Sequence, residues 1–83
     1  MNQSELDDVA SAAAQAVEIA DFETAARLYL AILDEPGVNA ETAKSAAWNL
    51  AMIYIREGYL DSAVTLLQDH GYTEQEYAHL LAN

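Results

Sequence analysis

The sequence predicts an all-α domain of two tandem antiparallel helical hairpins followed by a short C-terminal capping helix. Apolar residues recur at three- and four-residue steps along most of the chain, which is the period of a helix buried on one face. One proline and three glycines among 83 residues are too few for a turn-rich all-β chain. The chain also matches itself at an offset of 38 residues, so one hairpin is expected to occur twice. A chain of this length forms one domain, residues 1–83.

The first hairpin is expected over about residues 5–36. Ser4 is expected to cap its first helix, with the acids that follow near the positive end of the helix dipole. Asp21 is expected to cap the second helix, which ends at Pro36 because proline cannot continue the hydrogen-bond ladder. The two helices are joined within a few residues and should therefore lie antiparallel. Their apolar stripes are Leu6, Val9, Ala10, Ala13, Ala16, Val17 and Ala20, and Phe22, Ala25, Leu28, Tyr29, Ile32 and Leu33.

The second hairpin is expected over about residues 40–71. Asn39 is expected to cap its first helix, residues 40–57, which Gly58 closes. This helix is apolar on two neighbouring faces, so it should be packed between neighbours or expose an apolar surface. The first face carries Ala47, Leu50, Ala51 and Tyr54, and the second carries Trp48, Met52 and Ile55.

Two shorter helices complete the chain. The fourth helix is expected at residues 60–69, with Gly71 supplying the left-handed residue after its end. The capping helix is expected at residues 73–82, because Thr73 and Glu76 have the spacing of a capping box. Its apolar residues are Tyr77, Leu80 and Leu81.

The internal repeat pairs small residues with small residues. The 38-residue offset places Ala13 on Ala51 and Ala25 on Ala63. Alanine at these positions lets two helix backbones approach closely, whereas a larger side chain would push them apart. Other pairs at the same offset are Val17 with Ile55, Ala20 with Gly58, Phe22 with Leu60, Leu28 with Leu66 and Tyr29 with Leu67.

At these residues the sequence resembles the tetratricopeptide repeat family. The second hairpin matches the spacings of the family at Leu50, Ala51, Tyr54, Gly58 and Ala63. Trp48 stands one residue past the usual tryptophan position, Ala20 stands where the family prefers glycine, and the offset exceeds the usual period of about 34 residues. The resemblance implies a two-repeat fragment of an α-solenoid whose last helix acts as a solvating cap.

Composition restricts the partners and the location. A net charge of −11, from 14 acidic and three basic residues, is repelled by phosphate backbones and anionic lipid, so neither a nucleic-acid nor a membrane partner is expected. The chain lacks cysteine, which excludes disulfides and suits the cytoplasm. Its first residues do not have the pattern of a signal peptide, and no apolar run approaches the roughly 20 residues that span a bilayer. We therefore expect a soluble cytoplasmic protein.

No residue is predicted to be catalytic, so the sequence does not predict an enzyme. The serines stand at helix starts or within helices, without the strand-turn-helix elbow of a nucleophile. His70 and His79 lie on separate predicted helices without the spacing of metal ligands, and no cofactor or metal is expected. Tyr54 and Tyr59 are interpreted as packing residues.

The candidate site is one apolar surface on the first and third helices. It comprises Ala10, Ala14 and Val17 beside Trp48, Met52 and Ile55. The resemblance implies that these residues line the concave face on which tetratricopeptide proteins hold a partner segment. Family members that grip a C-terminal carboxylate carry lysine, arginine and asparagine there, so that mode is not expected here. The rim acids are Asp7 and Glu18, with Glu74 as a third candidate, and they favour a basic-flanked hydrophobic or amphipathic segment.

Two alternatives for this surface stay open. The capping helix can cover it in cis through Tyr77, Leu80 and Leu81, or two copies can cover each other as a homodimer.

Two functions are compatible with the sequence. The first is a small protein-interaction module, an adaptor or a chaperone that shields a hydrophobic segment of another protein. The second is an acidic inhibitor or immunity protein that blocks the basic cleft of a toxin or nuclease. The affinity of an apolar groove for its partner changes little with added salt, whereas the affinity of a charge mimic falls steeply. The salt dependence of binding therefore distinguishes the two functions.

Overall fold

The computed structural model describes residues 1–82, and this part of the chain is all-helical. No strand occurs within residues 1–82, so the predicted fold class is confirmed. The five helices are α1 (Gln3–Glu18), α2 (Phe22–Leu33), α3 (Ala40–Arg56), α4 (Leu60–Asp69) and α5 (Glu74–Leu81).

The helices are arranged as two hairpins and an added helix. α1 packs on α2, α2 packs on α3, and α3 packs on both α4 and α5. The Cα atoms extend over 35 × 28 × 15 Å, so the array is flat. Since α3 touches three other helices, it is the central element and needs more than one apolar face.

Helices α1, α2 and α3 each begin just after a side chain that accepts a hydrogen bond from a free backbone N–H group. Asp21 accepts a hydrogen bond from the N–H of Thr24 at 3.3 Å, and Asn39 accepts one from Thr42 at 2.7 Å, as predicted. The prediction for Ser4 is wrong, because Asn2 caps α1. The Asn2 side chain accepts from the N–H of Glu5 at 2.8 Å, and the Glu5 carboxylate accepts from the N–H of Asn2 at 2.9 Å. This reciprocal pair satisfies two free donors at once and starts the helix at Gln3.

Both hairpin turns use the same left-handed backbone. Ala20 has φ of 61° and Gly58 has φ of 88°, and the two positions are related by the 38-residue offset. The N–H of Asp21 bonds the carbonyl of Ala16 at 2.8 Å, and the N–H of Tyr59 bonds the carbonyl of Tyr54 at 2.7 Å. These bonds span five residues and are typical of the Schellman motif that ends many helices. Alanine therefore adopts, at the first turn, a conformation that suits glycine.

The core is built around buried alanines. The four residues paired by the repeat, Ala13, Ala51, Ala25 and Ala63, are all fully buried. Larger core side chains are few, and the largest that are fully buried are Ile32, Leu50 and Leu67. Ala46 and Ile53 are also buried, although neither belongs to the two faces predicted for α3.

We expect Ala63→Leu to destabilise the protein by about 1–3 kcal/mol, because a leucine does not fit where two helix backbones meet. Ala82→Leu is the matched control, since Ala82 is exposed beyond α5, and its unfolding free energy should change by less than about 0.5 kcal/mol. Urea unfolding followed by circular dichroism measures both. Equal effects of the two substitutions would contradict the close helix contact at Ala63.

We expect Ala20→Gly to stabilise the protein by about 0.5–1 kcal/mol, since the left-handed strain removed exceeds the added entropy of the unfolded chain. Gly58→Ala should destabilise by a similar amount, through strain alone, because a Cβ at that position meets nothing within 4 Å. Ala12→Gly in the exposed middle of α1 is the control and should cost about 1 kcal/mol. A loss of stability in Ala20→Gly would mean that the turn is not left-handed.

Candidate functional site

A groove runs between α1 and α3. Ala10 and Ala14 line a cavity of about 610 Å³, and Val17, Glu18 and Met52 line a second one of about 310 Å³. Asn49 lines both cavities, so they form one continuous surface, which we name the α1–α3 groove. The groove thus brings together five of the seven predicted site residues.

The two ends of the groove differ in polarity. At the start of α1 and α3, the Gln3 side chain donates to Asp7 at 2.9 Å and accepts from Asn39 at 3.0 Å. These hydrogen bonds tie the start of α1 to the start of α3. At the other end, Val17 is 37% exposed and Met52 is 47% exposed. The groove therefore combines a hydrogen-bonding end with an apolar end that is open to solvent.

Trp48 does not lie in this groove. Its ring is half-buried, with its centroid 5.0 Å from the ring of Tyr72 and 6.0 Å from that of His79. Ile55 packs with it against the buried cluster of Ala51, Ala63, Leu67 and Tyr77. Trp48 and Ile55 are therefore separated from the other predicted site residues, because the segment that leads into α5 and α5 itself cover this face of α3.

The capping helix covers part of the predicted surface in cis. Tyr77 is buried and Leu80 is half-buried, whereas Leu81 stays exposed. Tyr72, just before α5, donates from its hydroxyl to the carbonyl of Lys44 at 2.9 Å. Gln68 donates to the hydroxyl of Tyr77 at 3.1 Å. α5 thus occupies the Trp48 side of α3 and does not line the α1–α3 groove.

Each of the three basic side chains is already engaged within the molecule. Arg27 pairs with Glu23 at 3.2 Å. The Lys44 ammonium lies 4.6 Å from the ring centroid of Tyr72, and the Arg56 guanidinium lies 4.7 Å from that of Phe22. None of these bases forms an ion pair with an acid of the groove, although Arg56 lines its apolar end beside Glu18.

The rim acids differ in part from the predicted set. Asp7 lines the polar end of the groove and Glu18 lines the apolar end, as the sequence suggested. Glu41, which the sequence analysis missed, lines the polar end as well. Glu74 lies at the start of α5 and does not line the groove.

The shifted pKa values belong to caps and packed rings. Hydrogen bonds from Thr24 lower the pKa of Asp21, and hydrogen bonds from Thr73 lower the pKa of Glu76. Both caps are therefore ionised at neutral pH. The hydrogen bonds of these two carboxylates stabilise the fold fully when the pH is above the ordinary carboxyl pKa. This stabilisation is lost as the pH falls through the lowered pKa of each group. Burial raises the pKa of Tyr29, and burial followed by the charge of Glu76 raises that of Tyr72.

The groove face of α3 escaped the sequence analysis because it is mixed in polarity. It consists of Glu41, Ser45, Asn49, Met52 and Arg56, which recur at three- and four-residue steps. A search for apolar stripes selects Trp48, Met52 and Ile55 instead. Following the helical period through Met52 without regard to polarity would have found the groove face.

The described residues contain neither a metal-ligating cluster nor a membrane-spanning helix. Within residues 1–82, no group of three or more histidine, aspartate or glutamate side chains is placed to hold a metal ion. No helix in the same range has the length and apolar character that crossing a bilayer requires.

Comparison with family models, with curated proteins and with solved structures finds no match to this chain.

We expect Trp48→Ala to destabilise the protein by about 2–3 kcal/mol and to loosen α5, because the Tyr72 and His79 rings lose the surface on which they pack. Met52→Ala is the control, and its unfolding free energy should stay within about 0.5 kcal/mol of wild type since the side chain is largely exposed. Urea unfolding gives the free energies. Amide hydrogen exchange in α5 should rise only in Trp48→Ala, and unchanged exchange there would contradict the contact.

Proposed function

We propose that this protein is a small interaction module, an adaptor or chaperone, that holds a basic-flanked amphipathic helix of a partner in the α1–α3 groove. The observation that carries the proposal is the coincidence of two properties in one groove. Its apolar end exposes Val17 and Met52, and its rim acids form no ion pair within residues 1–82, since Arg56, the one base that lines the groove, stacks on Phe22. An apolar face set in the groove with basic residues against the rim satisfies both.

The dimensions of the groove support a helical segment. The groove runs along α1 and α3, and on α1 it extends from Asp7 to Glu18, a length of about three helical turns. Its floor includes Ala10 and Ala14, whose small side chains allow close approach of a helix. Amphipathic helices bind such grooves through residues spaced three and four apart.

We also propose that the chain is a tetratricopeptide-type array. α5 begins 34 residues after α3, at Glu74 against Ala40, which equals the period of that family. The residues that carry the resemblance in the second hairpin support it as well, since Leu50, Ala51 and Ala63 are fully buried. A soluble adaptor of this kind, without cysteine, suits the cytoplasm.

A second copy is a less suitable occupant than a basic partner. A homodimer formed groove to groove would bring the acids of two chains together, each chain carrying a net charge of −11. Like charges in apposition oppose association, whereas a partner with basic flanks is attracted. The homodimer that the sequence left open therefore ranks below the heterologous complex.

We expect the double variant Val17→Ser, Met52→Ser to bind the partner about 10- to 100-fold more weakly than wild type, because it loses the exposed apolar end of the groove. Partners are first captured with the wild-type protein and identified by mass spectrometry, and affinities are then measured by titration calorimetry. Leu30→Ser is the matched control, since Leu30 is an exposed apolar residue of α2 outside the groove, and its affinity should equal that of wild type.

The acidic inhibitor or immunity protein stays the second candidate, favoured by one observation. Every acidic side chain except Glu35 is exposed, and the bases of the chain are engaged in internal contacts. Such a surface can cover a basic cleft. If the affinity of the captured partner collapses with added salt and is indifferent to the groove substitutions, the inhibitor replaces the groove binder.

A further inference from the structure

Another cavity lies where the two hairpin turns meet. It has a volume of about 480 Å³ and borders the apolar end of the α1–α3 groove, with which it shares Ala20, Phe22 and Ile53. Three aromatic side chains line it, namely Phe22, Tyr54 and Tyr59, and so do three acids, namely Asp21, Glu23 and Glu57. We name this cavity the turn pocket. The sequence analysis interpreted its tyrosines as packing residues, yet Tyr59 is 61% exposed.

The aromatic rings of the turn pocket form walls at right angles. The ring centroids of Tyr54 and Tyr59 are 6.3 Å apart, and their planes meet at 87°. An edge-to-face pair leaves ring faces uncovered, and these faces carry the negative end of the quadrupole. An organic cation is attracted to such a face.

The molecule already uses this attraction elsewhere. The Arg56 guanidinium stacks over the ring of Phe22 without lining the turn pocket, and Lys44 lies over Tyr72. None of the three basic residues lines the pocket, but Arg27 pairs with Glu23 and Arg56 stacks on Phe22. The rings of Tyr54 and Tyr59 and the carboxylates of Asp21 and Glu57 therefore remain for a cation of a partner.

The acids of the turn pocket differ in their partners. Hydrogen bonds from Thr24 lower the pKa of Asp21, which keeps that carboxylate ionised at neutral pH. The carboxylate of Glu23 forms an ion pair with Arg27, whereas that of Glu57 has no ion-pair partner within residues 1–82. A neutral or apolar ligand would cover these charges without compensating them, which is unfavourable.

We propose that the turn pocket binds an arginine side chain of a partner protein. The planar guanidinium can stack on an aromatic face while its N–H groups donate to a carboxylate. An ammonium group has no flat surface and cannot make both contacts in this way. The pocket has rings and carboxylates for both contacts. The site borders the α1–α3 groove, but Tyr54, Tyr59 and Glu57, which would hold the guanidinium, are not among the groove residues.

An NMR titration tests the site with a defined probe. N-acetyl-arginine methylamide is added to the ¹⁵N-labelled protein at constant ionic strength, and N-acetyl-citrulline methylamide serves as the neutral probe of the same shape. Amide shifts should be confined to residues 20–26 and 53–59. The citrulline probe should bind about tenfold more weakly, because it lacks the charge. Equal binding of the two probes would overturn the proposal.

Substitutions in the pocket separate stacking from general charge attraction. Tyr59→Leu should weaken the arginine probe about two- to fivefold, whereas Tyr59→Phe, which keeps the ring, should bind like wild type. Tyr59 is exposed, and the amide spectrum of each variant shows whether the fold is retained. Unchanged binding by Tyr59→Leu would overturn the proposal.

A pair of charge variants completes the test. Glu57→Gln and Glu74→Gln each remove one exposed carboxylate, but only Glu57 lines the pocket. The first should weaken binding of the arginine probe and the second should not. Equal effects would mean that the probe responds to the net charge of the protein and not to a site. Neither variant alters the apolar residues of the α1–α3 groove, so failure here leaves the groove proposal intact.

Discussion

The close approach of helix backbones at fully buried alanines is the contact on which the rest of the structure depends. Ala13 and Ala25 bring the helices of the first hairpin together, and Ala51 and Ala63 do the same for the second. Small side chains at these points make the array thin, so few large apolar residues can be enclosed. Apolar side chains such as Val17, Met52 and Tyr59 consequently remain at the surface, where they are available to a partner.

The position of α5 determines which part of α3 is left open. α3 has more apolar surface than α2 and α4 cover, and α5 takes the share that contains Trp48 and Ile55. The tryptophan therefore stabilises the end of the array. The part that stays open is the mixed face of Asn49 and Met52, opposite the small residues of α1. The array thus covers one side of α3 with its own last helix and leaves the other side open.

Charge gives the two candidate surfaces a common chemistry. The three bases are held by Glu23 and by the rings of Tyr72 and Phe22, while nearly all of the acids face solvent. A negative surface steers cationic groups toward the protein, and the local environment then decides how they are held. The groove combines rim acids with an apolar end, whereas the turn pocket combines acids with aromatic rings. A basic partner that spans both would be held by two different kinds of contact.

Local chemistry in the sequence determined the elements of this protein. Side-chain caps at Asp21 and Asn39, together with the helical period, place α2 and α3 nearly where they occur, and the self-match identifies the buried alanines. The misplaced cap of α1 is also a local matter, because Ser4 and Asn2 are both good caps and only Asn2 has glutamate three residues on.

Only the tertiary structure decided which faces of these helices are covered. Periodicity places Trp48 and Met52 on one side of α3, but which of them is buried depends on where α5 docks, and that is a long-range contact. Alanine carries no local signal for the left-handed conformation of Ala20, so only its match with Gly58 in the repeat points to it, and the hairpin geometry imposes it. The groove and the turn pocket both arise between elements far apart in the chain. Spacing along a single helix therefore cannot define either one.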